Sequence, residues 1–188
     1  DGNNVPTPDL VEAYEVGDKR KDASIGFITI SSAVHTNKSF PYMKKFARPH
    51  SLHDNHGMNW PVYRYSEALL FLAEALVEQN KLGDATTYIN QIRSRAGLAA
   101  TAATSQADLR NAVYQERRVE LAFESKRLYD LVRTGRFDSV IKAYGDRVKA
   151  DKFRYYFPAE GFVPSDAFSN VTPYYGLPAD EAALSPNF

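Results

Sequence analysis

The sequence predicts an all-α fold in which helical hairpins are wrapped by long irregular loops. Three observations predict it. From Pro61 onward apolar residues recur at helical spacing. The segment before Pro61, "HTNKSFPYMKKFARPHSLHDNHGMNWP", is marked throughout by Pro, Asn, His and Gly, the punctuation of loops. Residues 150–188 return to the same character, with aromatic clusters "FRYYF" and "PYY" between prolines. The reading is one domain with three parts: a loop-rich segment 1–60, a helical core 61–145 and a loop-rich segment 146–188.

In order along the chain, "VPTPDLVEAYEVGDKRKD" predicts a short helix over 8–15, stopped by Gly17. "IGFITISS" alternates enough for a brief strand. "VYRYSEALLFLAEALVEQN" is strongly amphipathic, with Leu69, Leu70, Ala73, Leu76 and Val77 on one side. "KLGD" turns the chain, and "ATTYINQIRSRAG" returns as a second helix with Ala85, Ile89 and Ile92 facing back. Gly97 suits a left-handed helix cap. Small and bulky residues fall where a tetratricopeptide hairpin wants them, including Ala73, the turn residue Asn80 and Ala85. One such hairpin buries neither face, so other helices must complete the stack. A small-residue linker with a Thr104 or Ser105 cap leads to a third helix over 106–123. A fourth runs over 126–134 and ends at Gly135, and a short one follows over 137–144.

Composition narrows the function. The 23 basic and 23 acidic residues cancel, so nothing electrostatic points to nucleic acid or an anionic membrane. The chain has no cysteine, which excludes disulfides, cysteine-ligated zinc and thiol catalysis within it. No stretch approaches the roughly 18 apolar residues of a spanning helix. Aromatic residues reach 13%, a high share that the loops must house.

The third helix raises a physical question. At 100° per residue Leu109, Val113, Glu116, Glu120 and Phe123 share one stripe, with Arg117 and Glu124 on its shoulder. Carboxylates in a buried stripe require paired, hydrogen-bonding partners. Arg64, Arg93, Arg95, Arg117, Arg127 and Arg133 are of the right kind, because a guanidinium fork bridges two carboxylates. Glu116, Glu120, Glu124, Arg127 and Asp130 are therefore read as an ion-pair network clamping the third and fourth helices to the hairpin, with Arg64, Arg93 and Arg117. The competing reading makes Glu116 and Glu120 the acid and base of a glycoside hydrolase. An arginine-lined core disfavours it, since a general acid needs a raised pKa.

"RYSEALLFLAEAL", "INQIRSRAGL" and "ERRVELAFESKRLYDLVRTGRF" resemble the C-terminal half of the SusD/RagB family of outer-membrane glycan-binding lipoproteins. Arg64, Tyr65, Glu67, Leu69, Leu70, Ala73, Glu74 and Ala75 match the first motif, and Asn90, Ile92, Arg93, Arg95, Ala96 and Gly97 the second. Glu116, Arg117, Arg118, Glu120, Leu121, Glu124, Arg127, Asp130, Leu131 and Arg133 match the third. Ser125 stands where that family has glycine, which predicts a less sharp bend between the third and fourth helices. Weaker echoes lie in "PTPDLVEAYEVGDKR" and "LPADEAALSPNF". The resemblance implies a SusD-like fold and an N-terminal half absent from this chain, carrying the lipid anchor and most of the tetratricopeptide helices. It further implies glycan capture without catalysis or cofactor, metal-independent or at most calcium-assisted, at the cell surface on the outer membrane. The implied partner is a SusC-like TonB-dependent transporter. A helical-repeat scaffold for a protein or peptide partner is the alternative.

Sugars bind flat aromatic faces, and loops on a rigid scaffold are where such faces belong. Phe40, Tyr42, Trp60, Tyr155, Tyr156, Tyr174 and Tyr175 are the candidates, each with packing of loop onto core as its competing role. His50, His53, Asp54 and His56 have metal-ligating chemistry but sit in an irregular run without the helical i, i+4 spacing of a metallohydrolase. No nucleophile elbow or glycine-rich phosphate loop is present.

Overall fold

A computed structural model describes residues 5–31, 37–49, 51, 59–155 and 161–184. The chain divides into two compact units, residues 1–127 and 128–188. The boundary falls inside the segment that the sequence marks as helical core.

The first unit opens on α1 (Pro8–Val11), a single turn in place of the helix predicted over 8–15. Thr7 caps it and proline occupies its first position, but the chain leaves the helix at Glu12 so that Tyr14 turns inward. The Tyr14 hydroxyl donates to the Val119 carbonyl at 3.3 Å, and burial pushes its pKa up to about 12. Asp18 caps α2 (Lys19–Ser24), a helix the sequence reading missed. Next come β1 (Ile25–Ile30) and β2 (Lys38–Met43), paired antiparallel with Ile25 opposite Met43 and Gly26 opposite Tyr42. The second strand lies in the stretch predicted to be loop. Pro41 disguised it, yet a two-stranded ribbon is all edge, and an edge strand tolerates proline.

The helical core follows the apolar periodicity. The hairpin of α3 (Tyr65–Glu78) and α4 (Leu82–Arg95) packs against α5 (Gln106–Glu120), and Ala73, Val77, Ala85, Ile89, Leu109 and Val113 form one buried cluster. Asn80 and Gly97 take left-handed φ of 58° and 82° and end the two hairpin helices. The Lys81 and Leu98 amides reach back to the Leu76 and Arg93 carbonyls, closing both helix ends. Ser105 caps α5. This helix stops at Glu120 and not at Phe123, because Phe123 and then Ser125 enter the left-handed region at φ 68° and 58°. Ser125 thus adopts the backbone conformation for which glycine is the usual choice.

In the second unit, α6 (Arg127–Arg133) ends at Gly135, and α7 spans Phe137–Ala150, well beyond the predicted 137–144. Gly145 reads as a helix stop but lies mid-helix for a packing reason. A Cβ there would stand 2.5 Å from the Phe168 Cβ. The Tyr144 ring meets Tyr155 and Phe168 edge-on, both at 5.5 Å between centroids. A last helix, α8 (Ala179–Leu184), lies where loop was predicted.

The carboxylates of α5 hold the first unit together. Glu116 accepts from Arg20 Nη1 at 2.9 Å and from Arg93 Nη1 at 2.7 Å. One turn on, Glu120 accepts from Arg95 Nη2 at 2.6 Å, Arg64 Nη1 at 3.0 Å and Arg20 Nη1 at 3.3 Å. Beyond the helix end, Glu124 accepts from Arg64 Nε at 2.9 Å and Lys45 Nζ at 2.6 Å. Arg20 also forks onto Asp18, and Arg93 onto Glu15. Five carboxylates (Glu15, Asp18, Glu116, Glu120, Glu124) thus meet five cations (Arg20, Lys45, Arg64, Arg93, Arg95), and the cluster is neutral. Arg95 and Glu15 reach solvent, whereas Glu116, Glu120 and Glu124 are buried.

Burial alone would raise the Glu120 carboxyl, but the Arg95 charge, the Ser66 hydroxyl and Arg64 outweigh it and hold it below the usual range. The Arg93 hydrogen bonds lower Glu15 likewise. Burial pulls the Lys45 ammonium below the ordinary lysine range against the opposing pull of Glu124. That ammonium spends its donors on Glu124 and on the Glu120 and Ala122 carbonyls at 2.9 and 3.0 Å, so it also closes the C-terminal end of α5.

Two outcomes follow for the intact protein. Glu120→Ala strands the guanidinium groups of Arg20 and Arg64 and costs about 3–5 kcal/mol, toward the lower end because Arg95 regains water. Urea unfolding reads it, with Lys142→Ala in an exposed pair on α7 as the near-neutral control. Acid is the second. Because Glu120 and Glu15 titrate lower when folded, their contribution is full above the unfolded glutamate value of about 4.3 and is lost as pH falls through their folded values. The urea midpoint should therefore drop on acidification below about pH 4, and less steeply in Glu120→Gln.

Candidate functional site

The ladder of carboxylates positions one aromatic residue that sequence chemistry singles out, Trp60, and the end of the ribbon that carries Phe40 and Tyr42. Lys45 and Phe46 are neighbours just past β2, and Trp60 lies four residues before Arg64. Lys45 and Arg64 both end on Glu124, and the Phe46 and Trp60 rings meet at 4.6 Å between centroids, tilted by 42°. One carboxylate therefore gathers the end of the β-ribbon and the entry to α3, and the indole is held with half its surface in solvent.

Phe40 and Tyr42 lie two residues apart on β2 and so share one face of the ribbon. Their cross-strand partners are Ile28 and Gly26, and Ile30 continues the face opposite Lys38. The Tyr42 ring lies directly over Gly26, because a Cβ at that position would sit 2.3 Å from the ring. Glycine here is the space the ring occupies. The Lys38 ammonium lies 5.7 Å from the centre of the Phe40 ring. The result is an apolar face on which Tyr42, Ile28 and Ile30 are exposed and Phe40 is half-buried, with a cation at one end.

The remaining aromatic candidates are in the second unit. Tyr174 and Tyr175 are exposed, and the Thr172 hydroxyl donates to the Tyr174 carbonyl. Tyr155 departs from the expectation of a ligand-facing ring: it is only 6% exposed, with its ring against Tyr144. Its place in the aromatic run looked loop-like, but α7 extends far enough to pack it. Tyr156 and the histidine loop of His50, His53, Asp54 and His56 lie outside the described residues. Among the described residues no cluster of His, Asp or Glu is arranged to hold a metal.

Of the residues predicted for the ion-pair network, the structure joins Arg64, Arg93, Glu116, Glu120 and Glu124. Arg117 instead stacks on the Phe71 ring at 4.5 Å and faces Glu67 at 3.8 Å, with Lys126 on the other carboxylate oxygen at 3.4 Å. Asp130 accepts from Arg133 at 2.8 Å within α6, and Arg127 opens that helix. Sequence reasoning did not find Glu15, Asp18, Arg20, Lys45, Phe46 or Gly26. The only signal for the first three was the weak echo in "PTPDLVEAYEVGDKR", which contains them.

The close fit of Tyr42 on Gly26 has a measurable consequence. The Gly26 Hα resonances should be shifted upfield by the ring and return to ordinary values in Tyr42→Leu. Gly26→Ala should expel the ring and destabilise the protein by about 1–3 kcal/mol, as overpacking does.

The profile of the SusD family matches residues 2–187. The SusD-like protein P25 of Formosa agariphila is 28% identical over 195 residues, 98% of this chain and 33% of that protein. A solved SusD homologue from Bacteroides thetaiotaomicron superposes with a TM-score of 0.70 at 22% identity, covering 96% of this chain and 41% of its own. The surface glycan-binding protein A from Bacteroides uniformis is 31% identical with a TM-score of 0.52, over 68% of this chain and 29% of that one. The chain spans a third or less of the length of the curated relatives it matches. With a match that runs from end to end and a fold that superposes over nearly all of its length, this chain belongs to the SusD family.

Proposed function

We propose that this chain is part of a protein that binds oligosaccharide or polysaccharide at the cell surface, without catalysis, and passes it to a SusC-like TonB-dependent transporter of the outer membrane. The observation that carries the reading is family membership together with 31% identity to a surface glycan-binding protein.

The chemistry of the residues supports capture over hydrolysis. Glu116 and Glu120 are the pair a glycosidase reading would use, and both are saturated by arginine. A carboxyl held low, as Glu120 is, is the opposite of what protonating a leaving group requires. The exposed rings of Trp60, Tyr42 and Tyr174 and the half-buried ring of Phe40 suit sugar instead. Trp60, Tyr42 and Phe40 sit on a scaffold fixed by ion pairs and a ribbon, and Tyr174 offers a further ring in the second unit. Preset flat faces stack on sugar C–H surfaces with little ordering left to do at binding.

Native electrophoresis of the intact protein through gels containing starch, xylan, mannan, mucin-type glycans or host N-glycans tests this. Retardation by one polysaccharide, with no release of reducing ends, is the expected result. Trp60→Ala and Tyr42→Ala should weaken it. Free migration in every gel would overturn the glycan reading and favour a protein or peptide ligand.

A further inference from the structure

The second unit contains a cavity that none of the residues considered so far for glycan binding lines. It lies between one side of α7 and the turns formed by residues 164–171, wholly within that unit. Its volume is about 350 Å³, inside the range of about 300–1,000 Å³ usual for small-molecule sites. Asp138, Ile141 and Lys149 line it from α7, at the spacing of a single helix side. Phe168, Ser169 and Val171 form the opposite wall.

Two unfavourable local choices meet at this wall. Phe168 adopts a left-handed φ of 66°, which a bulky side chain resists. Gly145 interrupts the middle of α7, where every residue but proline favours the helix more. They belong together, since a Cβ on residue 145 would stand 2.5 Å from the Phe168 Cβ and 2.8 Å from its Cγ. Backbone strain of this kind gathers at binding sites, where the surrounding structure holds a shape against it. The wall is fixed elsewhere too. Lys149 Nζ donates to the Ser165 carbonyl at 2.7 Å, and the Ala167 and Ser169 amides close two turns onto the Pro164 and Asp166 carbonyls, both at 3.0 Å. A ligand meets walls already in place, so little ordering remains at binding.

The lining specifies the chemistry of the occupant. Its charges balance, Asp138 and Asp146 against Lys142 and Lys149. Lys142 is taken by Asp146 at 2.9 Å and Lys149 by the Ser165 carbonyl. The Asp138 carboxylate and the Ser169 hydroxyl bond to none of the described residues and are left to meet a ligand. Ile141, Val171 and Phe168 supply apolar surface beside them. A neutral ring with hydroxyls on its rim and C–H groups on its faces uses both, because a carboxylate accepts from two hydroxyls at once. An anion would set its charge against Asp138, and a wholly apolar guest would strip water from the carboxylate without replacing it. We propose that this cavity is a sugar site in its own right, holding one neutral pyranose residue and sharing no residue with the rings of Trp60, Tyr42, Phe40 and Tyr174. The choice of a sugar as occupant rests on the glycan reading.

Methyl glycosides of glucose, galactose, mannose, xylose and N-acetylglucosamine test it, each a single neutral ring. Each is titrated at millimolar concentration into the intact protein with isotope-labelled isoleucine methyl groups. The Ile141 methyl resonance, assigned through Ile141→Val, is followed by NMR. The expected result is a saturable shift of Ile141 with at least one glycoside. Asp138→Ala should weaken that binding by about tenfold, as loss of a hydrogen bond to a charged group does. Asp138 is exposed in the first turn of α7, so the change leaves the fold intact. Trp60→Ala and Tyr42→Ala should leave the Ile141 titration unchanged. An Ile141 resonance that no glycoside moves would overturn the proposal, and so would a shift that Asp138→Ala leaves at full strength. The two readings fail separately. A polysaccharide that retards the protein in a gel while no glycoside moves Ile141 overturns the cavity site alone. A saturable Ile141 shift without retardation in any gel upholds the cavity site and overturns polysaccharide capture alone.

Discussion

Three carboxylates at the end of one helix organise the first unit. Glu116 and Glu120 lie a turn apart on the buried side of α5, and Glu124 follows just past its end. None could stay ionised there without donors aimed at it, since a bare carboxylate in a low-dielectric interior costs several kcal/mol (order of magnitude). The donors come from parts of the chain far apart in sequence: Arg20 before β1, Lys45 after β2, Arg64 at the start of α3, and Arg93 and Arg95 at the end of α4. Each of those segments brings its cation onto this one group of carboxylates, and Arg20, Arg64 and Arg93 each bridge two or more of them.

Well-packed apolar residues of similar volume would hold such a core about as firmly, so net stability is a poor reason for the cluster. Position is a better one. A leucine is satisfied by any close neighbour, whereas a guanidinium fork is satisfied by two oxygens in one plane. The consequence is felt at the surface. Because Lys45 and Arg64 share Glu124, the rings of Phe46 and Trp60 come into contact, and the β-ribbon that carries Phe40 and Tyr42 leaves the core from a set point. Loops too polar or too short to pack by themselves are placed by charge instead.

Much of this was legible in the chain. The α3–α4 hairpin, its core residues, its left-handed caps and the buried stripe of α5 follow from a 3.6-residue period and from Asn and Gly at the turns, which are local properties. The demand for cations near Glu116 and Glu120 was legible too, because burying charge imposes it. Three of the cations that answer, Arg64, Arg93 and Arg95, were legible as well, whereas Arg20 and Lys45 were not. Arg117 lies on the same helix but faces Glu67, while Arg20 reaches Glu120 across 100 residues and Lys45 reaches Glu124 across 79. The same limit hid β2, whose proline is tolerable because among the described residues no further strand pairs there, and α7, whose mid-helix Gly145 leaves room for Phe168.

What the sequence alone determined was the set of requirements: an all-α core, a face of α5 that had to be neutralised, and a surplus of aromatic residues to place outside it. The tertiary structure decided the pairings that meet them. Periodicity is written into neighbouring residues and survives in the unfolded chain's order. The partner of a charge, the ring over a glycine and the packing of Tyr155 depend on which distant segments arrive together, and only the folded chain settles that.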